Sequence, residues 1–177
     1  MAGHEAFSCD IQPSEDGGPH LQGDARHAIR SWSWDVMIAH PPCTSLAVSG
    51  AAHFWRKAEE QREALDFVAE LMGANIGRIA IENPVSIISS VLGKPSQVIQ
   101  PWQFGHGETK ATCLWLKNLP LLQPEHIVSG REQRIHKMGP GPNRARERSR
   151  TYTGIAAATV RQWGALEPVE GRSLVLC

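Results

Sequence analysis

Two short segments carry residue types that can do covalent chemistry. Pro41-Pro42-Cys43 presents a thiol just past a double proline, and Glu82-Asn83-Pro84 presents a carboxylate just before a single one. A thiol and a carboxylate held over one crevice suit covalent catalysis with acid assistance. Taken singly, Cys43 has the competing reading of a buried, inert cysteine, against which its place past a double proline favours a loop, and Glu82 that of a surface carboxylate or a residue near a helix start. Their order, one strand–helix–strand unit apart, is what makes the pair informative.

The flanking sequence predicts the elements that position them. Trp34–Ala39 is an apolar run of the kind buried on both faces of a parallel sheet. The residues from Trp55 to Met72 predict a helix with Leu65, Val68, Leu71 and Met72 inward and Arg56, Lys57, Glu59, Glu60 and Glu63 outward, stopped near Gly73. Residues 79–81 predict a second buried strand ending at Glu82, completing a βαβ unit with a right-handed crossover. In open parallel sheets ligands bind at the carboxyl ends of strands, so Cys43 and Glu82 are expected at one crevice. An apolar run from Glu5 to Ile11, ending at Asp10, precedes the turn-rich 12–19. Further strands are expected over 109–117, 133–138 and 173–176, a loop over 139–143, and a helix over Tyr152 to Trp163, begun by Thr153 or Gly154, with Ile155, Ala158 and Val160 inward.

Bulk properties narrow the function classes. The 177 residues are 41% hydrophobic, typical of one globular domain with a real core. The reading is a single domain over 1–177, cytoplasmic, with no secretory signal and no membrane span. The four cysteines form no CxxC pair, and the His and Cys spacing matches no zinc site, so no metal is expected. No Walker loop or Gly-x-Gly-x-x-Gly is present, which leaves nucleotide hydrolysis and dinucleotide binding without support. Net charge is zero but uneven. Five acids and no Lys or Arg fall within the first 25 residues, whereas Arg131 to Arg150 holds seven bases against two acids. Such a stretch can track phosphates or be a solvated loop. Gly105-His106-Gly107-Glu108 is a flexed turn that shapes a pocket or simply joins strands. Trp102 and Phe104 fit base stacking, with packing the commoner role.

Together these residues resemble the cytosine-C5 DNA methyltransferases. Pro41-Pro42-Cys43 resembles their Pro-Cys nucleophile motif, and Glu82-Asn83-Pro84 their Glu-Asn-Val motif. Arg131-Glu132-Gln133-Arg134-Ile135-His136 is similar to their later arginine motif, and the Tyr152-to-Trp163 helix to their final one. The run from Gln100 to Thr112 is similar to the short phage- and prophage-type members. The resemblance spans about Gly3 to Trp163. It implies an α/β fold, a Rossmann-like doubly wound sheet of the S-adenosylmethionine-dependent methyltransferase type, without a separate target-recognition domain.

The resemblance also implies a mechanism. Cys43 attacks C6 of a cytosine, Glu82 hydrogen-bonds N3 and the exocyclic amine, and Arg134 holds the base carbonyl and the Glu82 carboxylate. C5 then accepts a methyl group from S-adenosylmethionine. Asp10, Asp24, Pro41, Thr153 and Ile155 are the implied cofactor residues, with a local turn bond the competing role for each aspartate. Asn83, His106, Lys110, Arg144, Arg146, Arg148 and Arg150 are the implied contacts to DNA or a pyrimidine nucleotide.

The family opens with a strand and a glycine-containing loop that have no counterpart in Met1-Ala2-Gly3-His4-Glu5, so the sheet is expected to be incomplete at its first strand and cofactor binding weak or lost. Three explanations stand: an inactive shortened copy, a second subunit filling the slot, or the run Arg172 to Cys177, which resembles a first-strand sequence, taking its place. An exposed edge favours a homodimer. Three functions stay open: a C5-type methyltransferase, a catalytically impaired nucleic-acid- or nucleotide-binding homologue, and a pyrimidine-modifying enzyme that does not use S-adenosylmethionine.

Overall fold

The computed structural model describes residues 4–15, 17–142, 144–166 and 173–176. Among them, seven strands form one mixed sheet: β1 (Ala6–Asp10), β2 (His20–Gln22), β3 (Trp34–Ala39), β4 (Arg78–Pro84), β5 (Gln97–Ile99), β6 (Thr112–Lys117) and β7 (Ser173–Leu176). Their order is β2-β1-β7-β3-β4-β6-β5. The pairs from β2 through β4 are parallel, and β6 runs antiparallel to both of its neighbours. The helices are α1 (Ala25–Ser31), α2 (Ala58–Gly73), α3 (Ile88–Val91), α4 (Arg134–Lys137), α5 (Arg144–Ser149) and α6 (Thr153–Trp163), with a 3-10 segment over Val48–Arg56. The class is α/β, and no helix among the described residues is long and apolar enough to cross a membrane.

The sheet is continuous between β1 and β3, which corrects the expectation of an incomplete one; residues 173–176 lie there, as the third of the explanations above expects. Ser173–Leu176 lies between β1 and β3 and is parallel to both, with Leu174 opposite Ala6 on one side and Val36 on the other. A strand there gives the facing backbone groups of β1 and β3 their ladder partners, which an open slot would leave unpaired.

Alternation along the strands sorts side chains into two layers. Met37, Ala39, Ile79, Ile81, Cys113 and Trp115 form one cluster with Val68 and Leu71 of α2. Burying each of those two helix residues contributes about 1.5–3 kcal/mol. On the opposite face, Ala80 and Leu114 cluster with Phe104, Leu122, Ile155, Ala158 and Trp163.

Several elements differ from expectation. The helix expected from Trp55 divides in two, with the 3-10 segment ending at Arg56 and α2 starting at Ala58. Residues 134–137 are a helical turn, not a strand. Its four residues are too few for an apolar period of two to be told from one of 3.6. Val160 is 56% exposed, because it lies five residues past Ile155, about 140° around the helix. Trp163 takes the inward place.

Candidate active site at the carboxyl edge of the sheet

In β3 and β4, Ala39 stands opposite Ile81, so the next residues, His40 and Glu82, come level on one face. His40 Nδ1 and Glu82 Oε2 are 3.1 Å apart. Pro41 and Pro42 then end the β3 ladder, since neither has an N–H to donate. Pro41 is buried and Cys43 is exposed. The Cys43 carbonyl accepts hydrogen bonds from the backbone N–H groups of Leu46 and Ala47, which carries the thiol on a tight turn at the rim of the sheet.

Asn83 points the other way. It is 1% exposed, and its Nδ2 donates to the Pro41 carbonyl at 3.0 Å. Alternation along β4 turns it away from the face that holds Glu82. Asn83, expected at the substrate, instead ties the Cys43 loop to the strand that carries Glu82. A second tie lies just beyond: Val48 N–H donates to the Val85 carbonyl and Ile87 N–H to that of Leu46.

Glu82 and His40 open into a cleft of about 490 Å³ between the sheet and α6. Its walls are apolar, from Val36, Ile38, Ala80, Leu114, Ile155 and Trp163. Lys110, Arg150 and Tyr152 also line it. Cys113, paired with Asn83 across β4 and β6, faces the sealed side. Burial, and secondarily the Glu82 charge, push its thiol up. That leaves Cys43 as the accessible thiol among the described cysteines.

Arg134 is not on Glu82. Its Nε donates to Glu108 Oε1 at 3.1 Å, and its Nη1 lies 3.8 Å from Glu147. Two backbone bonds place it there, Thr109 N–H to the Glu132 carbonyl and Glu132 N–H to that of Gly107. The hydrogen bond to Glu108 raises the guanidinium pKa further. Tyr152 donates to the other Glu108 oxygen at 2.9 Å. Burial first, then this bond, push the phenol up to about 12.

The residues expected at a cofactor fall into two groups. Asp10 ends β1 and is exposed, with Oδ1 accepting from Gln12 N–H at 2.8 Å. Asp24 caps α1: Oδ1 accepts from Arg26 N–H at 2.8 Å, and Oδ2 lies 3.4 Å from the Arg26 guanidinium. That backbone bond holds its carboxyl below the ordinary range. Thr153 and Ile155 start α6, with Ile155 6% exposed in the cleft wall.

The remaining expected contacts also have local roles. His106 Nε2 accepts from Gly154 N–H at 3.0 Å. A Cβ on Gly154 would overlap the Phe104 carbonyl, so glycine alone lets α6 begin this close to the 101–104 turn. Gly105, at φ +86°, supplies the left-handed turn before His106. Lys110 Nζ donates to the Arg148 carbonyl, Arg144 to that of Gly139 and Arg148 to that of Ile135. Arg150 is exposed at the cleft, and the Arg146 side chain lies outside the described residues. Arg131 stacks 3.8 Å over Trp102, and Phe104 is 2% exposed in the core.

Sequence reasoning foresaw neither the His40–Glu82 contact nor the ion pair of Glu108 with Arg134. His40 had a signal, being like Glu82 the first polar residue past a buried apolar run. Glu108 had none, because its partners come from distant segments. No family model, no curated protein and no solved structure matches the chain.

Proposed function

We propose that this chain is a methyltransferase of the cytosine-C5 type, acting on cytosine in DNA through a cysteine adduct. The observation that carries the reading is the bond from Asn83 to the Pro41 carbonyl, which fixes the thiol-bearing turn against the strand end bearing Glu82. Cys43 adds to C6 of the ring. Glu82 hydrogen-bonds N3 and the exocyclic amine, which draws charge away from the ring as the adduct forms. Arg134, held by Glu108 and Glu147, stands with the basic segment and not at Glu82. S-adenosylmethionine, when bound, supplies the methyl group that C5 accepts.

The strand order supports a Rossmann-like, doubly wound sheet of the methyltransferase type. The chain steps out from β1 to β2 on one side of β7 and from β3 to β4 on the other. Ligands bind at the crevice where such an order reverses. Asp10 fits a ribose there, because Oδ1 is spent on Gln12 while Oδ2 has no partner among the described residues. Asp24 fits less well, with both oxygens turned to Arg26. Lys110 and Arg150 at the cleft favour a polyanionic substrate.

The test is transfer of labelled methyl from S-adenosylmethionine to cytosine-containing DNA. The parent chain is expected to incorporate label and Cys43→Ser to incorporate none. Equal incorporation by the two would overturn the reading.

A further inference from the structure

We propose that His40 is a positioning and proton-relay residue for Glu82, a role that rests on the cytosine-activation reading above. The register brings the two level, and His40 Nδ1 meets Glu82 Oε2 at 3.1 Å. The imidazole is 40% exposed and the carboxylate 21%, so His40 is the more solvent-open member of the pair. Among the described residues Nε2 has no partner.

The chemistry requires a proton at this place. Ring N3 of cytosine is an acceptor, and an ionised carboxylate only accepts. Glu82 can therefore engage N3 only when it carries a hydrogen, yet an ordinary carboxyl is ionised at neutral pH. The surroundings deepen the conflict. Lys110 and Arg150 line the same cleft, with Tyr152 and His4, and two of these are permanent cations at neutral pH. Cys43 lies three residues on in the chain, and Cys113 is on the sealed face of β6. An imidazole has two ring nitrogens that can each carry or accept a proton, so His40 can hold the proton until the base arrives and then release it.

The step balances. Cys43, deprotonated to solvent, forms the S–C6 bond. The C5=C6 pair moves to C4–C5, and the C4=N3 pair moves to N3. N3 takes the hydrogen from Glu82, and His40 imidazolium replaces it through Nδ1. Thiolate and imidazolium are both neutralised, leaving a neutral adduct with a nucleophilic C5. When C5 takes a proton from water and later gives one back, the adduct reverses. N3 then returns its proton to Glu82 and His40, and the ring has exchanged its C5 hydrogen.

That exchange is the test, since it needs no methyl donor. The probe is a single-stranded oligonucleotide with [5-³H]deoxycytidine, and the readout is tritium released to water across pH. The parent chain is expected to release tritium well above the rate of Cys43→Ser, and its rate is recorded across pH. His40→Asn keeps an N–H donor toward Glu82 but cannot release a proton. It is expected to be about 100-fold slower or more near neutrality, with a pH profile that differs in shape from the parent's. His40→Gln, equally unable to relay, gives the same result by a second route. If either folded variant matches the parent in rate and profile, the relay is wrong and base activation stands. If the parent is no faster than Cys43→Ser, base activation is wrong and the relay falls with it.

Discussion

The two faces of the central strands are alike in sequence and unlike in packing. Against α2, Met37, Ala39, Ile79 and Ile81 are at most 1% exposed, and Leu71 closes on them at 1%. The opposite face presents Val36, Ile38, Ala80 and Leu114, just as apolar, but α6 packs against them across a cleft of about 490 Å³. A 16-residue helix seals one side, and an 11-residue helix leaves the other open. The side chains with chemistry divide accordingly. Glu82 and His40 rise on the open face, whereas Asn83 and Cys113, one residue or one strand away, are sunk in the sealed one. Alternation thus assigns stability to one face and chemistry to the other.

Cutting into the sealed face should have the largest effect. Leu71→Ala is expected to cost about 2–5 kcal/mol in urea unfolding, by lost transfer energy and the cavity left behind. A cost under about 1 kcal/mol would show that the α2 face relaxes freely and does not dominate stability. Asn83→Ala comes next. Removing a buried hydrogen bond costs about 1–3 kcal/mol, and because it unties the Cys43 loop, C5 hydrogen exchange is expected to fall by more than the lost stability explains. Exchange at the parental rate in a folded Asn83→Ala would mean that the tie to Pro41 is structural only.

Much of this division was legible in the chain. The apolar runs around Trp34–Ala39 and before Glu82 announced buried strands, and the spacing of Val68 and Leu71 announced their covering helix. Where alternation alone decides, a reader needs the register, and register is not written locally. His40 beside Glu82, and Asn83 beneath Pro41, follow only once Ala39 is known to face Ile81. The seven-residue α1 carries little apolar period, so it was missed, although its cap Asp24 was visible as a residue apt for a local backbone bond. Arg134 was read toward Glu82. Its pairing with Glu108 depends on two backbone bonds between segments far apart in the chain. The strand Ser173–Leu176 was recognisable as a strand. Its seat in place of the missing strand was one of three arrangements the sequence left open, and only the long-range register with Ala6 and Val36 decides among them.

Overfilling separates the faces more finely. Ala39→Leu places extra methyl groups in a sealed layer, where overpacking costs about 1–3 kcal/mol. Ala156→Leu adds the same groups on α6 where it borders the cleft, at an exposed position. It is expected to change stability by no more than about 0.5 kcal/mol while narrowing the cleft. Urea midpoints of the two variants give the comparison directly. Equal destabilisation would mean that the cleft is as tightly held as the core.

A further effect concerns how the open face is braced. Tyr152 donates to Glu108 at the cleft, and its phenol is pushed up to about 12 from an ordinary value of 10.0. The folded state thus holds this proton more tightly than the unfolded state does. By linkage, the stabilisation is complete below pH 10 and is lost as pH rises through about 12. Tyr152→Phe removes the bond, at a cost of about 1 kcal/mol near neutrality, and also removes this titration. The stability gap between the parent chain and Tyr152→Phe should therefore shrink between pH 10 and 12, because only the parent has a phenol left to ionise. A gap that stays constant across that window would mean that the Tyr152 hydroxyl is solvated in the folded state, and that the open face lacks this brace.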